Sequence, residues 1–303
     1  MSVAELEAHE VALESATGGL WRDAFRRLVR NPAAILGALL VAMFIVAAAF
    51  APLLAPYAPK DQNLLLIARG CCPGPSHHHW LGVDQLGRDV YSRILYGARF
   101  SLIIGIVSVS IGLSVGLVLG SLAGYLGGFV DSVIMRCMDV MLAIPGLLFA
   151  IGIVAMLGPG LYQIMVAIGV VNVPIFARLL RGSVLAQREN DFVLAARAVG
   201  VRRPAILFSH ILPNAISPVI VQGTLAMATA IIDVAGLGFL GLGPQDPATP
   251  EWGTMLTNAN DYLVSTPFLA IVPGIAIVLS VLGFNLIGDG LREALDPKLR
   301  GRS

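Results

Sequence analysis

Charge is what this sequence lacks. Only 13% of its 303 residues are Asp, Glu, Lys or Arg, while 56% are hydrophobic and the mean hydropathy is +0.81. Soluble domains carry about a quarter charged residues, so the balance excludes a large water-soluble core and points to the bilayer. Lysine is almost missing: Lys60 and Lys298 are the only two, and neither stands in a G-x-x-x-x-G-K-[ST] loop, so this chain has no phosphate-cradling sequence. Three cysteines, Cys71, Cys72 and Cys137, are too few for a disulfide framework. There is no H-E-x-x-H motif and no evident serine–histidine pair, which places an intramembrane enzyme last among the readings. The basic residues are scattered between apolar runs and build no basic face, so nucleic acid is not a partner.

What is present is a series of apolar runs long enough to cross a bilayer, which takes about 20 residues at 1.5 Å each. The spacing predicts six: about Ala33–Leu54, Ser101–Leu122, Phe129–Leu157, Leu161–Leu180, Ala215–Leu242 and Phe268–Ile287. The chain is therefore expected to be an all-α integral membrane protein with six transmembrane helices. Its expected parts are a tail 1–30, an anchor 31–56, a loop 57–99, a five-helix core 100–290 and a tail 291–303. Span 1 offers small residues like those of a signal-peptide cleavage site. It follows an acid-bearing tail (Glu5, Glu7, Glu10, Glu14) and is too long for a signal core, so it reads as an uncleaved anchor.

The arginines set the orientation. Arg22, Arg26, Arg27 and Arg30 precede span 1; Arg178, Arg181, Arg188, Arg197, Arg202 and Arg203 lie between spans 4 and 5; Arg292, Lys298, Arg300 and Arg302 follow span 6. The other side has Lys60, Arg69, Arg88, Arg93 and Arg99, fourteen against five. The positive-inside rule then predicts cytoplasmic N and C termini.

The longest cytoplasmic loop, 181–213, contains DFVLAARAVGVRRP. Asn190 or Asp191 suits a helix cap, and Gly200 suits the left-handed position that ends a helix. Pro204 suits the first turn of a second helix, PAILFSHIL. Ala195, Ala196 and Ala198 leave little bulk, so another surface can approach closely. A plain connector needs no such pair of apolar-faced helices, and a docking element does.

LAARAVG, nine residues and then HILP resembles the cytoplasmic loop motif of ABC importer permeases, EAA, three residues, G, nine residues, I-x-LP. Ala195, Ala196, Gly200, Leu212 and Pro213 match; Leu194 replaces the usual glutamate and His210 the isoleucine. HWLGVDQLGRDVYSRILYGARFSL (79–102), GFLGLG with PEWGTML (238–243, 250–256) and FNLIGDGLREALDPKL (284–299) are similar to segments of dipeptide, oligopeptide and nickel importers. The resemblance covers about residues 30 to 300 and is to the C-type permease subunit.

That resemblance implies a multi-pass protein of the bacterial inner membrane, forming half of a pathway with a second homologous permease. It implies two ATP-binding cassette subunits carrying ATP and Mg²⁺, an extracytoplasmic substrate-binding protein, and no cofactor in this chain. It makes 191–213 a coupling helix between spans 4 and 5, with Asp191, Leu194, Ala195, Ala196, Arg197, Gly200, Leu212 and Pro213 at the ATPase contact.

Ionisable groups inside spans are costly and are paired or face a cavity. Arg136 and Asp139 stand three apart and can pair on one helix. Asp131 sits where it offsets the helix dipole. Asp233 has no basic residue within a turn; it either receives the ammonium end of a peptide or bonds a neighbouring helix. Pro145 and Pro174 predict kinks. Residues 88–100 read as an amphipathic helix lying at the outer interface, with Arg88 and Arg93 on its polar face. The loop 243–264 has three acids, Asp246, Glu251 and Asp261, and no base, which suits either a binding protein or solvent. Cys71, Cys72, His77, His78 and His79 have metal-binding chemistry, but the prolines describe a turn and adjacent cysteines bridge with difficulty.

The expected function is an ATP-driven importer permease for peptides. A nickel or metal-chelate importer remains open, as does a proton-coupled secondary transporter using Asp233 or Asp139. The absence of two similar halves counts against the last.

Overall fold

A computed structural model describes residues 20–68 and 70–295, with side chains from residue 24. The residues Arg22, Arg69, Lys298, Arg300 and Arg302 of the orientation argument lie outside the described side chains, as do the acids of the tail. A short helix α1 (Leu20–Leu28) leads to α2 (Pro32–Leu54). Asn31 starts α2 by accepting from the backbone N–H groups of Ala33 at 2.9 Å and Ala34 at 3.2 Å, with Pro32 pre-set in the first turn. Only one stripe of α2 is buried, Ala34, Gly37, Val41, Phe44, Ala48 and Ala51, at the spacing of a single helix face. The rest is apolar and exposed, as lipid requires.

Asp89 starts α3 (Val90–Leu126) by accepting from the Ser92 N–H at 2.7 Å, and the helix ends only at Gly127, where φ is +68°. Residues 88–100 therefore form no separate interfacial helix. Val90 to Phe100 are the first turns of one 37-residue helix, because nothing between Phe100 and Ser101 breaks it. Arg88 and Arg93, expected on a wet face, are buried.

The third expected span is broken at Pro145, where a kink was expected. It is two helices, α4 (Gly128–Ala143) and α5 (Gly146–Leu157), meeting at 93°. Pro145 is the cause: it pushes Ile144 into extended geometry (φ −93°, ψ 129°) and removes a donor. Pro174, by contrast, lies inside an unbroken α6 (Leu161–Arg188). The chain continues through α7 (Asp191–Ala198), a helical stretch to Ala215 with wide π-type turns at Ile206–Ile211, and α8 (Ser217–Leu237). The outer α9 (Trp252–Ala259) then precedes α10 (Phe268–Leu295). Among the described residues five helices are long and apolar enough to cross a membrane, and six spans result if the bent pair counts as one.

The centre of the molecule is the pairing of α3 with α6. Gly112, Gly116, Gly120 and Gly124 recur every fourth residue and face α6. A Cβ on Gly120 would stand 2.5 Å from the Ala177 carbonyl oxygen, and one on Gly116 would stand 2.5 Å from the Phe176 Cβ. Without side chains there, the two backbones approach closely and gain dispersion contact, the main cohesive term between helices in lipid. Ile164, Ile168, Phe176, Leu180 and Val184 of α6 extend this core toward α7 and α8.

Candidate functional site

The loop after α6 is built as a rigid unit. Asn190 takes the capping position of α7 with extended backbone, but its amide donates to the Gln187 side chain at 2.8 Å instead of capping. At the other end the Val199 and Val201 N–H groups return to the carbonyls of Ala195 and Ala196 at 3.1 and 3.0 Å. Gly200 between them has φ +79°, and a Cβ there would meet nothing within 4 Å. The requirement for glycine is therefore conformational.

Val193 and Ala196 face inward and pack with Ile206, Ile211, Leu180 and Val184 in the main core. Asp191, Leu194, Ala195, Arg197, Gly200 and Pro213 face outward, while Leu212 is half-buried. The outward surface is apolar beyond the ends of the spans: Leu194 is 48% exposed, Phe208 67% and Val199 79%. Beneath it Tyr125, at the end of α3, donates to the Arg203 carbonyl at 2.8 Å. Arg188, Arg197 and Arg203 line an adjoining cleft of about 490 Å³. This arrangement can carry a push on α7 into α3 and α6.

The charges within the spans pair across helices. Asp131 receives two hydrogen bonds from Arg181, one of them at 2.6 Å from Nη2 to Oδ2. Asp139 accepts from Arg178 at 2.6 Å. The expected Arg136–Asp139 pair on one helix does not form, and Arg136 has no ion-pair partner among the described residues. An arginine preceding an acid along a helix is the weaker order, whereas the arginines of neighbouring α6 reach the carboxylates directly. Asp131 also occupies the first turn of α4, favourable to the helix dipole. Asp233, on α8, is half-buried, and among the described residues no group bonds its carboxylate.

On the outer side the metal candidates do not converge. Cys71 and Cys72 bring their sulfurs against each other as a vicinal pair. His79 pairs with Asp89 at 2.9 Å and stacks on Tyr57, while His77 and His78 are exposed. Among the described residues no three metal-binding side chains gather.

The sequence reading passed over a buried clasp in the same region. Asp84 accepts from the Arg88 Nε at 2.6 Å and from the N–H groups of Leu86 and Arg88 at 2.9 and 3.0 Å. Arg88 also donates to the Pro247 carbonyl, and Arg93 donates to those of Pro59 at 2.9 Å and Pro247 at 3.4 Å. The D-x-x-x-R spacing of 84 and 88 is the signal that could have revealed it. Glu251 is also buried, so of the three acids in that loop only Asp246 and Asp261 face outward. Glu251 caps α9 through the N–H groups of Gly253 and Thr254, both at 2.7 Å, and burial lifts its carboxyl above the usual range.

Comparison with known proteins is consistent across methods. Residues 116–301 match the family model described as binding-protein-dependent transport system inner membrane component. Residues 19–68 match the N-terminal TM domain of oligopeptide transport permease C. The chain is 49% identical over 280 residues to a dipeptide transport system permease protein of Alkalihalophilus pseudofirmus, covering 92% of this chain and 90% of that one. It is 49% identical over 281 residues to a glutathione transport system permease protein of Salmonella typhimurium, covering 93% and 91%. An inward-facing structure of the MetNI methionine ABC transporter shares the fold, with a TM-score of 0.56 at 19% identity, over 67% of this chain and 96% of that one.

Proposed function

This chain belongs to the binding-protein-dependent transport system inner membrane component family, and from that premise we propose that it is the permease subunit of an ATP-driven peptide importer. It is a multi-pass inner-membrane component built from helices. The observation that carries the reading is α7, whose outward face leaves Phe192 and Leu194 uncovered between Asp191 and Arg197 while Val193 and Ala196 lock it into the core. An apolar face beyond the bilayer needs a protein partner, and a face fixed to the core transmits force.

In this reading both termini and the loop 181–213 are cytoplasmic. ATP and Mg²⁺ belong to two partner ATPase subunits, since this chain has no phosphate-cradling sequence. A second, homologous permease supplies the other half of the path, and an extracytoplasmic binding protein delivers substrate. Closure of the ATPases pushes α7, and α3 and α6 carry the motion outward. The dipeptide and glutathione relatives support a peptide cargo. The metal-chelate reading has no comparable support, because the Cys/His loop gathers no metal site among the described residues. A proton-coupled carrier does not account for α7.

The test is a gentle detergent pull-down of the tagged chain with mass spectrometry, followed by dipeptide uptake in proteoliposomes. Recovery of two ATPases and a second permease, with ATP-dependent uptake, is the expected result. Recovery of the chain alone, with uptake that follows a proton gradient and ignores ATP, overturns the proposal.

A further inference from the structure

Arg178 of the exposed ion pair borders an open groove, and a polar stripe on α8 leads from that groove to the unpartnered carboxylate of Asp233. Leu142 at the end of α4, Arg178 and Ser183 of α6, and Gln222 of α8 line an open cleft of about 760 Å³. Along α8 from Gln222, Thr229 stands seven residues on and Asp233 eleven, close to two and three full turns. The three polar side chains therefore share one face over about 16 Å of an otherwise apolar span. One turn beyond, a Cβ on Gly236 would lie 3.9 Å from Leu147 at the start of α5, so this stripe looks toward the break between α4 and α5.

Lipid is the wrong neighbour for such a surface. The Arg178–Asp139 pair has side chains 53% and 62% exposed, and exposed charge on helices of this kind needs hydrated or protein-covered surroundings. Thr229 satisfies its hydroxyl on the Ala226 carbonyl at 3.1 Å, but Asp233 has no partner among the described residues and no basic residue within a turn.

Resting on the peptide-importer reading, we propose that this groove is the surface along which substrate passes, and that Asp233 accepts the ammonium group of the transported peptide. A peptide entering a narrow path loses hydration at its charged amino end, where three N–H donors need acceptors. Asp233 supplies a charged acceptor at that depth. Asp139 already neutralises Arg178, so this arginine does not compete for the Asp233 carboxylate. Asp233 is thus a specificity-determining residue for cargo with a free amino terminus.

The experiment uses the complete transporter in proteoliposomes, with dialanine as the probe and Asp233→Asn and Asp233→Glu as the variants. Uptake and ATP hydrolysis stimulated by the loaded binding protein are measured together. Asp233→Asn is expected to slow uptake by about tenfold or more while stimulated hydrolysis stays within about twofold, and Asp233→Glu is expected to restore most of the uptake. Uptake by Asp233→Asn within about twofold of the unmodified transporter overturns the proposal while leaving the importer reading intact. Loss of uptake, hydrolysis and assembly together, in both variants, assigns Asp233 to packing and also overturns it. An unmodified transporter that assembles but moves no peptide overturns the peptide reading first, and this proposal with it.

Discussion

Two residues show how a single position answers to conformation or to burial. At Gly200 nothing crowds a side chain, yet φ is +79°. A β-branched residue there costs on the order of 1–3 kcal/mol in strain. Gly200→Val is expected to insert and assemble but to uncouple hydrolysis from uptake, measured as ATP consumed per peptide moved; an unchanged ratio sinks the coupling role of this turn. Glu251 answers to burial. Its carboxyl holds a proton more tightly when folded than its usual value of 4.5 allows when unfolded. The folded state then binds more protons, so this group's contribution is greatest below that value and is lost as the pH rises through the raised one. Glu251→Gln should flatten that decline in thermal unfolding as the pH is raised above the carboxyl's usual value. A variant that keeps the original slope places the proton elsewhere. The Gly200 turn was legible because Gly, Pro and Ala constrain local geometry directly. Glu251 was not, because its burial comes from Gly238 and Gly243, thirteen and eight residues earlier, folding back over its carboxylate.

At the scale of elements, the four glycines of α3 set how closely it meets α6. A methyl group on Gly120 has a backbone carbonyl at 2.5 Å, which cannot swing aside as a flexible side chain can. Gly120→Ala should therefore destabilise the pair by about 1–3 kcal/mol, the usual cost of overpacking. Gly152→Ala, on α5 with nothing within 4 Å, should be close to neutral. Thermal unfolding in detergent compares the two, and equal melting temperatures would remove the glycine stripe from the account of stability. The spans themselves were plain in the sequence because lipid demands a long apolar run. Their breaks were less plain: Pro145 and Pro174 look alike in the sequence, but only Pro145 separates two helices at a sharp angle. The difference lies in surroundings, since Pro174 is buried between well-packed turns of α6 whereas residues 142–148 are exposed. The i, i+4 glycine spacing was readable as a helix-packing signal, although which helix it met required the fold.

Across the whole molecule, α3 reaches from the Arg88–Arg93 clasp to the loop that carries α7. Arg88 and Arg93 hang the stretches around Pro59 and Pro247 on its outer end, and Tyr125 holds Arg203 at the other. The separation of arginines predicted two sides to the molecule, but it counted Arg88 and Arg93 as solvated topology markers. Asp84, four residues before Arg88, is the one partner a local pattern announces; the others are the carbonyls of Pro59 and Pro247, far apart in sequence. Arg88, Arg93 and Asp84 are all buried, so removing Arg88 leaves Asp84 with only its longer 3.6 Å contact to Arg93 and two backbone N–H groups, at a cost of up to about 3–5 kcal/mol. Arg88→Ala should therefore lower thermal stability strongly, and the double variant Asp84→Ala with Arg88→Ala should lower it further, because buried Arg93 then loses its nearest acid. If the clasp also holds the outer loops in the shape a binding protein meets, the double variant has a distinct signature in the assembled transporter. Basal ATP hydrolysis should persist, since α7 and its attachment through Val193 are untouched, while stimulation by the loaded binding protein should fall. Full stimulation in the double variant would confine the clasp to stability and leave the outer loops free of any part in signalling.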